Sequence, residues 1–242
     1  MTSAVDLYWA AREGNMALQE ELKKCANINH VKDSNGWTAL HWAAYLGDVQ
    51  ATQVLISNSA NVDEKNKSGQ TPLHAAALNG RNTVVKVLLE NSSCVSEVDN
   101  DMNTPLHLAL AHSGDLDTVK LLLQFSEDVK HLVNAGNENQ ETALHLAVNK
   151  SLEIVRLLIE NSSFVSAENK DKKRPLDLAI QNQKRNVAEL LTRFDVLQKI
   201  GFTINPDQDP ENLNSLVIFD DFSAIESFLK VSLRFYDIDP LS

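Results

Sequence analysis

The tetrapeptide Thr71-Pro72-Leu73-His74 recurs along this chain of 242 residues. Its four versions begin with threonine and end with leucine and histidine, and they occupy residues 38–41, 71–74, 104–107 and 142–145. A degenerate version, Arg174-Pro175-Leu176-Asp177, follows, and successive versions begin 33, 33, 38 and 32 residues apart. Trp9-Ala10-Ala11 stands 33 residues before Trp42-Ala43-Ala44, so a first copy of the repeat precedes the one at 38–41. Six copies at such a period predict a stack of structural repeats.

Each copy predicts a pair of helices. Threonine before proline or alanine is a good N-cap, and proline suits the first helical position because its missing N–H has no partner there anyway. A second helix is predicted from apolar residues at helical spacing, as in Val84, Val85, Leu88 and Leu89. One unit cannot bury that apolar face alone, so neighbouring units must supply the core by stacking.

The tetrapeptides, the alanine pairs and the glycines at Gly14, Gly47 and Gly80 together resemble the ankyrin repeat family over residues of about 5–194. The resemblance implies an all-α solenoid in which each 33-residue unit contains a helix-turn-helix and a β-hairpin. We predict a repeat domain over 1–195 and a non-repeat segment over 196–242. The predicted units lie near 5–33, 34–66, 67–99, 100–137, 138–169 and 170–195.

Two departures from the family pattern concern turns. Met102, Gln140 and Lys172 stand where Gly36 and Gly69 provide the hairpin glycine, so the later hairpins should be less regular. After three of the second helices, Asn-Ser replaces the usual glycine at 58–59, 91–92 and 161–162. Because asparagine tolerates the left-handed conformation, we predict that it forms the helix C-cap there.

A third departure is the 38-residue spacing, which places about five extra residues between Gly114 and Asn137. A longer second helix or a wider loop around 125–133 would accommodate them.

The formal net charge of −11 is unevenly distributed. Residues 1–200 carry 25 acidic and 20 basic side chains, a net of −5, and residues 201–242 carry 8 and 2, a net of −6. An acidic chain argues against binding to nucleic acid or to an anionic membrane. The first residues lack a signal peptide pattern, so a cytoplasmic location is predicted, or the host cytosol if the chain is a secreted bacterial effector. The basic run at 170–174 leaves a nuclear location open.

Motifs for chemistry are missing from the sequence. It contains no phosphate loop, dinucleotide fingerprint, HExxH or nucleophile elbow, and Cys25 and Cys94 are too few for a disulfide framework or a four-cysteine zinc site. The resemblance implies that the repeated histidines hydrogen-bond backbone between neighbouring units. At about 10 Å apart they could not share a metal held at about 2.1 Å per ligand. We predict no enzyme activity, no cofactor and no metal.

Ankyrin repeats generally bind proteins through hairpin tips and inner-helix ends that line a concave face. Trp9 and Trp42 occupy a position that is apolar in every unit, so core packing is predicted for them. Trp37, Tyr45 and Leu46 have no such role and are the predicted anchors for a partner, since interface hot spots are rich in tryptophan and tyrosine. The alternative is that Trp37 packs on its own hairpin.

Residues of the second unit and at matching positions of its neighbours, all polar except Leu78, complete the predicted binding surface. They are Ser34, Asn35, Lys67, Gln70, Leu78, Asn79, Asn103 and His112. The predicted function is therefore a non-enzymatic scaffold that binds a protein partner and is monomeric when free.

Residues 196–242 leave the finer function open. Five of the eight phenylalanines lie here, so the segment is predicted to cap the last unit or to dock on a partner. The asparagine-rich composition is similar to that of host-directed bacterial effectors. Six repeats before an acidic segment resemble the inhibitors of NF-kappaB, which favours an inhibitor of a signalling or transcription factor as an alternative. An enzyme subunit with its activity in this segment is the alternative from another class.

Overall fold

The computed structural model describes residues 2–24 and 27–199 of the chain. That part contains thirteen α-helices and a 3₁₀ turn at Ile28–His30, and none of its residues lies in a β-strand. The helices are α1 Ala4–Glu13, α2 Asn15–Leu22, α3 Ala39–Leu46, α4 Val49–Ser57, α5 Pro72–Leu78, α6 Asn82–Glu90, α7 Pro105–Ala111, α8 Leu116–Gln124, α9 Val129–Asn134, α10 Ala143–Ala147, α11 Leu152–Glu160, α12 Pro175–Gln181 and α13 Arg185–Lys199.

The helices form two layers. In the inner layer, α1, α3, α5, α7, α10 and α12 pack against one another in that order, and in the outer layer α4, α6, α8, α11 and α13 do the same. The leucine of each tetrapeptide, such as Leu73 and Leu106, is fully buried between the layers. Small alanines such as Ala43 and Ala76 are fully buried too and let inner helices approach closely. The predicted all-α solenoid is confirmed.

The inner helices whose N-cap is threonine or serine start with a reciprocal pair of hydrogen bonds. In α5 the backbone N–H of His74 donates to Thr71 Oγ1 at 3.4 Å, and the N–H of Thr71 donates back to His74 Nδ1 at 3.2 Å. In α12, where the tetrapeptide is degenerate, Asp177 Oδ2 accepts the Arg174 N–H at 2.9 Å and so replaces the histidine. Four consecutive residues therefore determine where each inner helix begins.

The hairpins are tight turns held by one side-chain oxygen. In each, an aspartate or asparagine Oδ1 accepts the N–H groups two and four residues later at 2.8–3.0 Å; these residues are Asp33, Asn66, Asp99, Asn137 and Asn169. Met102, Gln140 and Lys172 adopt φ of 60°, 58° and 59°, in the same left-handed region as Gly36 and Gly69. The prediction of less regular later hairpins is wrong, because the side-chain oxygen stabilises the turn with or without glycine.

The hairpin tips are joined into a continuous row. One backbone N–H of each tip donates to a carbonyl of the preceding tip: Lys67 to Asn35 at 3.0 Å, Asn100 to Ser68 at 2.9 Å, Glu138 to Asp101 at 2.8 Å and Lys170 to Asn139 at 2.9 Å. These bonds hold neighbouring tips at fixed positions along one edge of the stack.

The ends of three outer helices correct the prediction for asparagine. Asn58, Asn91 and Asn161 have negative φ, and each side-chain Nδ2 donates to the carbonyl four residues earlier at 2.7–2.8 Å. The left-handed residue is the following serine, with φ of 65–66° at Ser59, Ser92 and Ser162. The amide adds a second hydrogen bond to a carbonyl that already accepts the backbone N–H of the same asparagine at 3.2 Å, and the positive φ falls on the next residue.

The extra residues of the fourth unit form a helix of their own. Because α8 has nine residues, as α6 and α11 have, the longer second helix is wrong. The separate helix α9 buries Leu132 and Val133, and its last residue bridges to the next unit. Asn134 Nδ2 donates to Ser162 O at 3.0 Å, and Asn134 Oδ1 accepts the Phe164 N–H at 2.7 Å. The second unit, which has no insertion, makes the matching bond from the Cys94 N–H to Asp63 Oδ1 at 3.0 Å, so this bridge belongs to the repeat.

Several predictions concern residues outside the described part. The predicted cap or docking role of 196–242 falls there, apart from the end of α13 at Lys199. The role of Cys25 also lies outside the described residues.

Candidate binding site

Three aromatic side chains of the second unit lie together at the surface. Trp37 follows the first hairpin, and Trp42 and Tyr45 lie three residues apart on α3. The ring centre of Trp37 is 5.0 Å from that of Trp42 and 5.4 Å from that of Tyr45, and the ring planes are tilted. We call Trp37, Trp42 and Tyr45 the aromatic cluster. Tilted and edge-on rings at these distances attract one another beyond the effect of burying area.

One carboxylate holds the cluster in place. Asp33 Oδ2 accepts the indole N–H of Trp42 at 3.2 Å, and Asp33 Oδ1 accepts the backbone N–H groups of Asn35 and Trp37 at 2.8 and 2.9 Å. The same side chain therefore shapes the hairpin and orients an indole ring on the neighbouring helix. A surface whose groups are already oriented loses less entropy when it binds a partner.

The aromatic cluster forms one wall of a cavity of about 460 Å³ between the second and third units. The side from the second unit is completed by Asn35, and the side from the third unit consists of Asn66, Lys67, Ser68 and Gln70. Asn66 Oδ1 accepts the N–H groups of Ser68 and Gln70, both at 2.9 Å. Backbone bonds thus hold both walls, while most lining side chains face solvent.

The structure brings five of the predicted binding residues to this cavity. Trp37, Tyr45, Asn35, Lys67 and Gln70 line it. Trp37 also packs against Trp42 and Tyr45 of α3, which is a helix and not the hairpin that the alternative named.

The other six predicted residues lie elsewhere. Ser34 is exposed at the hairpin tip and Leu46 is 46% exposed at the end of α3, beside the cavity. Leu78 and Asn79 lie at the end of α5, and the Asn79 side chain donates to its own helix at Ala75 O. The Asn103 side chain is engaged with Asp99 and Asn137, and exposed His112 is the C-cap of α7.

Core packing is wrong for Trp9 and incomplete for Trp42. Trp9 is 50% exposed, with the Arg12 guanidinium 5.2 Å from its ring centre, because α1 is the first inner helix of the described part and has a neighbour on one side. Trp42 is half-buried and lines the cavity. Its spacing of three residues from Tyr45 places both on one helix face, and that signal was present in the sequence.

The repeated histidines lie inside the stack, as the family resemblance implies. Each ring Nε2 faces a backbone carbonyl of the next unit: Gln70 O for His41 at 3.0 Å, Asn103 O for His74 at 2.9 Å, Glu141 O for His107 at 3.1 Å and Lys173 O for His145 at 3.1 Å. Since Nδ1 accepts an N–H and Nε2 faces an oxygen, the neutral Nε2–H tautomer satisfies both sites.

Burial keeps these histidines neutral. It lowers the pKa of His41 to about 4, against the opposing effect of its bond to Gln70 and of the nearby Glu64 and Asp33. Burial likewise lowers the pKa of His74, His107 and His145. The imidazoles are therefore structural bridges between units. Within residues 2–24 and 27–199 no three His, Cys, Asp or Glu side chains are grouped as a metal site would require.

A stack of helix pairs with hydrogen-bonded tips defines the chain as a repeat solenoid. A family model described as ankyrin repeats (3 copies) matches residues 7–99, 48–131 and 106–200. The chain therefore belongs to the ankyrin repeat family, whose repeats are general protein–protein interaction modules. No curated protein sequence matches the chain as a relative. No helix among the described residues has the length and apolar character that a membrane crossing requires.

Proposed function

We propose that this chain is a non-enzymatic scaffold that binds a protein partner at the cavity between the second and third units. The observation that carries the proposal is the aromatic cluster, which Asp33 holds at the surface. Tyr45 is 37% exposed, and Leu46 beside it is 46% exposed. Aromatic side chains in a pre-formed hollow are the usual anchors of a protein interface.

The framework of the stack supports this choice of site. The buried threonines and histidines use their polar atoms within and between units, so they are not available to a partner. Among the lining side chains, the Trp42 indole donates to Asp33, Asn66 holds its own turn, and Gln70 accepts from Asn66, while none bonds to the buried threonines and histidines. Binding there would act by blocking or by tethering the partner, since it requires no chemical step.

Finer roles depend on the partner. A host-directed effector and an inhibitor of a transcription factor both bind a protein without altering it, so each is a particular case of this function. The cytoplasmic location and the monomeric state of the free chain also stay predictions.

Capture of partners from eukaryotic cytosol tests the proposal. The bait is the full chain, compared with the double variant Trp37→Ala/Tyr45→Ala. Removing two anchors worth about 2 kcal/mol each should reduce retention of a specific partner by more than tenfold. Phe164→Ala is the matched control, because Phe164 is a 49% exposed aromatic residue of the fifth unit.

Two results would contradict the proposal. A partner retained equally by the wild type and the double variant would place binding elsewhere. Equal loss with Phe164→Ala would show that the captured protein responds to exposed aromatic side chains in general. Circular dichroism melting of each variant separates loss of binding from loss of folding.

A further inference from the structure

Lys67 is the one charged residue that lines the cavity. Its side chain is exposed at the tip of the second hairpin. Two nearby lysines are paired, Lys32 with Glu64 and Lys65 with Glu97, both at 2.7 Å. Among the residues that the structure describes, no carboxylate lies within ion-pairing distance of Lys67. The cavity therefore presents a positive charge beside its aromatic wall.

The carboxylate of Asp33, behind the aromatic wall, is not ion-paired with Lys67 and is directed to N–H groups of its own hairpin and of α3. Asp33 already accepts three N–H groups, from Asn35, Trp37 and Trp42. Gln70 lies on the same wall as Lys67, and both of its oxygens are already used. Its Oε1 accepts from Asn66 Nδ2 at 3.5 Å, and its backbone oxygen is bonded to His41 Nε2, so its side-chain NH₂ group supplies the donors. The lining thus offers an ammonium and an amide as donors, which favours a ligand that brings oxygen acceptors.

The row of tips changes sign beyond the cavity. Asp101 at the next tip and Glu138 at the one after it are exposed carboxylates. Their backbones are joined by the Glu138 N–H to Asp101 O bond, which holds both near the row. An acidic segment would be repelled there, whereas a basic side chain would be attracted.

We propose that the cavity binds an extended segment of the partner in which an apolar side chain adjoins an aspartate or glutamate. The apolar side chain packs on the aromatic cluster and the carboxylate meets Lys67. A single ammonium without an arginine fork matches a carboxylate of one charge. Units are about 10 Å apart and an extended chain advances about 3.3 Å per residue, so a lysine or arginine about three positions further on reaches Asp101. This inference rests on the proposed function and names the chemistry of the partner.

Selection from a random twelve-residue peptide library, displayed on phage and panned against the immobilised full chain, tests the inference. The wild type should enrich peptides with an apolar residue next to Asp or Glu. Lys67→Glu should bind those peptides at least tenfold more weakly and should enrich Lys or Arg at the same place. Lys86→Glu is the matched control, because Lys86 is exposed on the outer helix α6 and should leave the selection unchanged.

The outcomes separate this inference from the proposed function. Peptides that need Trp37 and Tyr45 but show no acidic preference would overturn the inference and leave the proposed function standing. Peptides that bind the Trp37→Ala/Tyr45→Ala variant undiminished would overturn both. Because Lys67 is exposed, the melting temperature of Lys67→Glu should equal that of the wild type, which shows that a loss of binding is local.

Two other occupants are also tested. Selection that succeeds only after Asp220, Asp221, Asp237 and Asp239 are changed to asparagine would assign the cavity to the chain's own residues 200–242. A dimer in sedimentation experiments that dissociates on Lys67→Glu would assign it to a second copy. Either result would overturn the assignment to a partner segment.

Discussion

The second and third units have matching backbones and unlike surfaces. His41 and His74 bridge to the next unit at 3.0 and 2.9 Å, and Asp33 and Asn66 hold their hairpins with matching bonds. The surface positions differ: Trp37 corresponds to Gln70, Trp42 to Ala75 and Tyr45 to Leu78. The residues therefore fall into two classes. Buried framework residues are repeated because they hold the stack together, and surface residues differ from one unit to the next.

The two classes should respond differently to mutation. Framework residues have their polar atoms paired inside the stack, so changing them should lower stability. Tyr45 of the aromatic cluster is exposed and contacts Trp37 and Trp42, so changing it should alter binding and leave the fold in place.

The largest expected effect is the loss of stability in mild acid. A buried histidine with a lowered pKa is neutral when folded and takes up a proton when unfolded. Stability should therefore be constant above pH 6.5 and fall between pH 6.5 and about 4. His41 alone should contribute a loss of about 3 kcal/mol, at about 1.4 kcal/mol per pH unit.

Urea denaturation at a series of pH values measures this loss. His41→Gln should reduce the slope of stability against pH by about 1.4 kcal/mol per unit. The carboxyl groups of Glu64 and Asp177 have lowered pKa values in the folded chain, so their protonation changes stability only below about pH 4.5. The slope of stability against pH is therefore measured above that pH. A slope that His41→Gln leaves unchanged would refute this account.

The next largest effect should follow from removing one bridge. His74→Ala leaves the Asn103 carbonyl and the Thr71 N–H without their buried partner, and it opens a cavity. We expect a loss of about 3 kcal/mol in the free energy of unfolding by urea. His112→Ala is the matched control, because His112 is exposed, and it should change stability by less than about 0.5 kcal/mol. Equal effects would show that the bridge does not stabilise the stack.

A smaller effect should distinguish the glycine turns from the others. At Gly69 an added Cβ would lie 2.6 Å from Asn100 Oδ1 and 2.9 Å from Asn100 N, with φ of 76°. Gly69→Ala should therefore cost about 2 kcal/mol in thermal or urea unfolding. Met102→Gly relieves a positive φ but makes the unfolded chain more flexible, so it should change stability by less than about 1 kcal/mol. A larger loss of stability for Met102→Gly than for Gly69→Ala would contradict this distinction between the two turns.

The smallest effect on stability should come from the aromatic cluster. Tyr45 is exposed and its ring contacts Trp37 and Trp42, so Tyr45→Ala should cost less than about 1 kcal/mol in urea. A loss as large as that of His74→Ala would mean that the cluster belongs to the framework.

Local chemistry was readable from the sequence where four adjacent residues decide the outcome. Threonine and histidine cap each inner helix wherever both occur, because the two residues are always three positions apart. The prediction for the later hairpins was wrong because it considered only the missing glycine. The aspartate or asparagine that begins each turn accepts the N–H four residues later and holds the turn without glycine. Asparagine is the C-cap of these outer helices, as predicted, but the left-handed conformation lies one residue later, at serine.

The sequence by itself determined the repeat and the N-caps of its inner helices, since these depend on residue types at short, regular spacing, and the role of the histidines followed from the family resemblance. Tertiary structure alone decided that Asp33 orients the Trp42 ring and that Lys67 of the next unit lies across from it. Those contacts join residues 9 and 25 positions apart. They depend on how one unit is placed against the next, which the period of the repeat does not specify.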